Sequence, residues 1–74
     1  MTNNELKKVA RMGLRIKYGF TAKLVDIILL EADHDGSYVM FAVNGHEYQV
    51  RRSRVWIGNG QSETKYDVKK IEED

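Results

Sequence analysis

Arg51, Arg52 and Arg54 stand just before Trp56, and a second basic group, Lys7, Lys8, Arg11 and Arg15, lies near the N-terminus. A guanidinium is a planar fork that donates two hydrogen bonds at once to a phosphate, and an indole offers a flat surface on which an unpaired base can stack. These residue types suit nucleic acid, so Lys7, Lys8, Arg11, Arg15, Arg51, Arg52, Arg54 and Trp56 are the candidate contacts. Other chemistry is poorly served. His34 and His46 neighbour carboxylates, yet neither has a helical i, i+4 partner, and a metal site needs three or four converging ligands. Asp33, Asp35 and Gly36 open like a calcium loop, but its register and its closing bidentate Glu are missing. Ser37, Ser53 and Ser62 occupy no strained nucleophile turn, and 74 residues leave no pocket for a triad and its substrate. Gly58-Asn59-Gly60 is followed by neither Lys-Ser nor Lys-Thr, so it is a hairpin tip rather than a phosphate loop. No catalytic residue, metal ligand or cofactor is expected, and the chain reads as a binding module rather than an enzyme.

Composition narrows the setting. Apolar and charged fractions of 42% and 31% are those of a folded protein, and the length allows one domain. Cysteine is absent, which removes disulfides and thiolate chemistry and fits a reducing compartment. No run approaches the roughly 18 apolar residues of a membrane span, and charges stand where a signal peptide would be apolar. A cytoplasmic protein with no membrane partner and no small-molecule substrate is expected. The net charge of +1 hides segregation: residues 1–23 carry six Lys or Arg against Glu5, whereas residues 24–45 carry Asp26, Glu31, Asp33 and Asp35 with no base.

The positioning elements follow from local pattern. Thr2 with Glu5 three residues later is a capping box, so a helix begins near Asn3. Leu6, Val9, Ala10 and Gly13 share one helical face, with Lys7, Lys8 and Arg11 opposite. The helix ends between residues 12 and 18, at Gly13 or just before Gly19, with a short strand over Leu14, Ile16 and Tyr18 as the competing reading. Lys23 to Ala32, apolar on both faces, reads as a central strand. Asp33 to Gly36 is a turn and Ser37 to Val43 the next strand. Asn44-Gly45 is a two-residue hairpin turn that pairs Val43 with His46. Counting outward puts Phe41 opposite Tyr48 and Val39 opposite Val50 on a core face. Tyr38 with Arg51, Met40 with Gln49 and Ala42 with Glu47 share the other. A four-residue loop before Ser37 would set Leu30 against Val39 and Ile28 against Phe41, leaving Ile27 and Leu29 with Met40 and Ala42 on the second face. That half-apolar face needs a cover, for which the helix is the expected element. Val55 to Ile57 form a short fourth strand, and Tyr66, Val68 and Ile71 a weak closing element. The result is one α+β domain, with a helix over 1–17 and a β-meander over 23–71.

The runs Ala22-Lys23-Leu24-Val25-Asp26-Ile27, Asp35-Gly36-Ser37-Tyr38-Val39, Asn44-Gly45-His46-Glu47-Tyr48-Gln49-Val50 and Ser53-Arg54-Val55 resemble the meander of small SH3-like barrels of the Tudor and KOW kind. The resemblance spans residues 20–57. It implies a strongly bent antiparallel sheet of four or five short strands, an SH3-like partial barrel, here preceded by a helix. Tudor-like domains hold methylated side chains in a cluster of aromatic rings. With Phe41 and Tyr48 assigned to the core, Tyr38 and Trp56 are the rings left to the surface. Two functions are expected. The first is docking on nucleic acid or a nucleoprotein through the Arg strand and basic helix. The alternative is a protein-interaction or inhibitor module, of the sort encoded by small mobile elements or phages, that binds a protein or dimerises through Ile27, Leu29, Tyr38 and Met40.

Overall fold

The computed structural model describes residues 1–71. At the N-terminus, Glu5 N–H donates to Thr2 Oγ1 at 3.2 Å while Thr2 N–H donates to Glu5 Oε1 at 3.0 Å. This reciprocal cap opens helix α1, Asn3–Tyr18, which ends at Gly19 with φ 69 and the Gly19 N–H on the Arg15 carbonyl. The helix therefore runs to the later of its two possible stops, and no strand forms over Leu14 to Tyr18. Gly13 has a different use. A Cβ there would stand 2.7 Å from Val50 Cγ2 and 3.0 Å from Val68 Cγ2, so the absent side chain lets the helix backbone settle onto the sheet.

The sheet is an antiparallel meander of β1 (Ile28–Ala32), β2 (Tyr38–Val43), β3 (His46–Gly58) and β4 (Gln61–Ile71), in that order across the sheet. It stays open, with β1 and β4 at its two edges, and does not close into a barrel. Asn44 and Gly45 both take positive φ, 53° and 79°. The register they dictate runs from Val43↔His46 out to Tyr38↔Arg51. Val39, Phe41, Val43, Val50 and Val68 point to one face and are buried with Leu6, Val9, Ala10 and Leu14 of α1.

Three expectations are corrected. The helix covers this first face, and the second stays open. The reason is polarity: across β3 and β4 the second face carries Glu47, Gln49, Arg51, Asp67 and Lys69, whose burial would strand charges away from water. The apolar run before Ala32 is not one central strand either. Leu24–Asp26 form a 3-10 turn, and β1 is a short edge strand. Its register differs from expectation by one residue, with Leu29↔Phe41, Ile28↔Ala42 and, after a bulge at Leu30, Ala32↔Val39. Ile27 and Leu29 consequently belong to the core, and Ile28 is exposed. Finally, Val55 to Ile57 are no separate strand. They continue β3, which pairs with β4 from Glu47↔Ile71 to Gly58↔Gln61.

Candidate nucleic-acid interface

The length mismatch between β2 and β3 creates the most distinctive surface. β2 accompanies β3 only as far as Arg51, and the Arg52 N–H donates to the Ser37 carbonyl at 2.8 Å. Beyond that point β3 and β4 run on alone to a tip at Asn59-Gly60, where φ values of 52° and 72° complete a tight turn. At 3.3–3.4 Å per residue the arm projects about 20 Å. It accounts for the molecule's long dimension, 42 Å against 27 and 22 Å.

Side chains alternate along the arm. Arg52, Arg54 and Trp56 continue the face of Val50, on the side of the sheet where α1 lies, and their cross-strand partners are Tyr66, Thr64 and Ser62. Arg51, Ser53 and Val55 face the other way, opposite Asp67, Lys65 and Glu63. The alternation sorts charge. Every carboxylate of the described strands, Glu31, Glu47, Glu63 and Asp67, is paired with an open-face position: Met40, Ala42, Val55 and Arg51 respectively. The helix side of the sheet thus carries bases and hydroxyls without a strand carboxylate. Above it, α1 holds Glu5 as its single acid against Lys7, Lys8, Arg11, Arg15 and Lys17.

The eight basic-site residues consequently fall into three groups. Arg52, Arg54 and Trp56 form a row on the helix side of the arm, and Trp56 is 72% exposed. Lys8 and Arg15 are exposed on the outer face of α1, with Lys7 and Arg11 half-exposed beside them. Arg51 is separated from both. It lies on the open face with its guanidinium 5.0 Å from the centre of the Tyr38 ring, a cation–π arrangement that also occupies one of the two rings expected to be free.

Between the arm and the β1–β2 turn is a polar cleft of about 260 Å³ lined by Asp35, Ser37, Arg52, Ser53, Arg54 and Thr64. The turn is internally tied. Ser37 N–H donates to Asp35 Oδ1 at 3.0 Å, and Ser37 Oγ donates to Asp33 Oδ2 at 3.3 Å. The hydrogen bonds from Ser37 hold the Asp35 carboxyl below its ordinary value of 3.8. Arg52 Nη2 donates to the Asp35 carbonyl at 2.9 Å, which fixes one edge of its fork. The Arg54 side chain makes no hydrogen bond or ion pair among the described residues.

Of the apolar-interface candidates, Ile27 and Leu29 are withdrawn into the core, while Tyr38 and Met40 are half-buried on the open face beside Ile28 and Leu30, which are 62% and 45% exposed. Sequence reasoning missed Thr64 and Asp35 as neighbours of the arginines, because only the full β3–β4 register brings them together. It also missed a second, apolar hollow of about 280 Å³ at the C-terminal end of α1, walled by Leu14, Tyr18, Phe20, Val43 and Tyr48. Tyr18 meets Tyr48 edge-on at 5.8 Å between ring centres. The two rings flanking Gly19 were its local signal. Among the described residues no group of three His, Asp or Glu side chains converges as metal ligands would, and no helix is long and apolar enough to cross a membrane. No known protein family, curated protein or solved structure matches this chain.

Proposed function

We propose that this domain is a non-catalytic binding module that docks on nucleic acid, free or within a nucleoprotein, through the helix-side face of its arm and the outer face of α1. The observation that carries the reading is the sorting of charge. A chain of net charge +1 presents Lys8, Arg11, Arg15, Arg52 and Arg54 on one side because strand alternation turns all four strand carboxylates to the other. A phosphate backbone approaching that side meets forks and ammonium groups with no strand carboxylate among them, Asp35 at the cleft and Glu5 on α1 being the acids nearby.

Fluorescence anisotropy with labelled single- and double-stranded oligonucleotides tests the proposal. If four or five of these cations neutralise phosphates, raising salt from about 50 to 200 mM should weaken binding roughly 50- to 130-fold for a single strand and roughly 150- to 500-fold for a duplex. No association with either probe at the lower salt would refute it.

A second reading is favoured by one observation: Ile28, opposite Ala42, and Leu30 at the bulge are exposed on β1, and Met40 is half-buried on the same open face opposite Glu31, a partly apolar patch on an open sheet face. In that reading the patch binds a protein or a second copy of the chain. Light scattering on the intact chain and on Met40→Lys decides it, since a dimer lost on substitution supports this reading and a monomer in both cases removes self-association.

A further inference from the structure

Building on the nucleic-acid reading, we infer that the arm is a track for a single strand: an unpaired base stacks on Trp56 while the neighbouring phosphates sit against Arg54 and in the cleft beside Arg52. Three observations converge on it. Trp56 is 72% exposed and shares its face with Ser62 and Thr64 across the strand pair. With such small cross-strand neighbours the indole stays largely uncovered and accessible to a base. Stacking on a side chain requires a base whose own stack is broken, which a duplex does not offer without being unpaired.

Spacing is the second observation. Arg52, Arg54 and Trp56 are alternate residues of one strand, so their attachment points repeat about every 6.8 Å, comparable to the span of one nucleotide in an unstacked strand. One ring and two forks can therefore meet one base and two consecutive phosphates in register.

Third, the cleft holds an oriented arginine fork. The Asp35 carbonyl orients the Arg52 guanidinium, while the Asp35 carboxylate, which accepts the Ser37 N–H, keeps its charge, so a phosphate meets the cleft from the Arg54 and Thr64 side. The Thr64 hydroxyl, on the same face as Arg54, supplies a further donor at the cleft. The Arg54 guanidinium, with no hydrogen-bond or ion-pair partner among the described residues, is free to close on a phosphate.

Trp56 is the sole tryptophan, so its emission reports stacking directly. The experiment is a titration of the intact chain with an oligothymidylate of roughly 16 nucleotides and with a duplex of the same length, read by both anisotropy and tryptophan fluorescence. The single strand should bind at least about tenfold more tightly and quench the indole. Trp56→Ala should weaken single-strand binding by roughly five- to 150-fold, the range expected for one base–aromatic stack, while Trp56→Phe recovers most of it. Arg54→Gln should lower the salt slope by about 0.7. A duplex bound as tightly as the single strand, or a Trp56→Ala affinity within about twofold of the parent, overturns the track and leaves the broader proposal standing. Failure of both probes to bind overturns both.

Discussion

Gly13→Ala adds one methyl group at the point where helix and sheet come closest. A Cβ there would lie 2.7 Å and 3.2 Å from the two γ-methyls of Val50 and 3.0 Å from Val68 Cγ2. Both valines are fully buried, at 0% and 2% exposure, and a β-branched side chain has few alternative rotamers into which to withdraw. Overpacking of this kind costs about 1–3 kcal/mol. Alanine returns about 0.8–1.0 kcal/mol through its higher helix propensity. With two immobile neighbours the clash belongs to the upper part of its range, and the net loss should be about 1–2 kcal/mol. For a domain of this size that lowers Tm by about 4–16 °C. Val50→Ala alone should cost about 2–3 kcal/mol in lost burial and cavity. The two substitutions relieve each other, because the space vacated by the γ-methyls accepts the new Cβ. The double variant should therefore lose at least about 1 kcal/mol less than the sum of the singles, the sign of coupling expected for touching residues. Urea and thermal unfolding of all four proteins, followed by circular dichroism, measure the cycle. A Gly13→Ala protein as stable as its parent, or strictly additive effects, would falsify the close approach and with it the reason for a glycine in the middle of α1.

Replacing residues 53–65 by Asn-Gly joins Arg52 to Tyr66 through a tight turn and should shift stability by no more than about 1 kcal/mol, since the excised segment contributes no fully buried side chain; loss of cooperative unfolding would show that the arm supports the core. The same excision removes Arg54 and Trp56 and should weaken single-strand binding in the anisotropy assay at least as much as Trp56→Ala does, while an unchanged affinity would place the interface on α1 alone. Gly45→Val forces a β-branched residue to φ 79 in open surroundings, so the cost is backbone strain of about 1–3 kcal/mol, and an unchanged Tm would count against the hairpin geometry. Glu5 and Asp35 are held below their ordinary values of 4.5 and 3.8 by hydrogen bonds from Thr2 and Ser37 respectively. Their stabilising effect is full above those values and is lost as pH falls through the depressed folded ones. Glu5→Gln with Asp35→Asn should flatten the acid limb of a Tm-against-pH curve, and an unaltered limb would place the acid sensitivity elsewhere.

Local chemistry carried much of the fold. Thr2 and Glu5 announce the helix, and Asn44-Gly45 sets six strand pairs in register because only residues tolerant of positive φ can make that turn. The buried face of Val39, Phe41 and Val50 follows by alternation. The outer half of β3 was illegible for a physical reason: both of its faces meet solvent, so no hydrophobic period marks it, and only pairing with β4 holds it extended. The edge position of β1 was hidden in the opposite way. Its run is apolar on both sides, and a bulge at Leu30 rather than any residue preference decides that Leu29 goes inward and Ile28 outward.

The candidate site divides along the same line. The arginines, the tryptophan and the basic helix were visible as residue types, but residue types have no direction. Which of them share a surface depended on the side of the sheet that α1 chose. That choice depended on long-range packing: Gly13 seats the helix against Val50 and Val68, and the charges of the opposite face cannot leave water. Sequence alone specified the helix, the hairpin and the stock of cations. Tertiary structure turned Arg51 to one side and Arg52, Arg54 and Trp56 to the other, because alternation acquires an inside and an outside only once something is packed against one face.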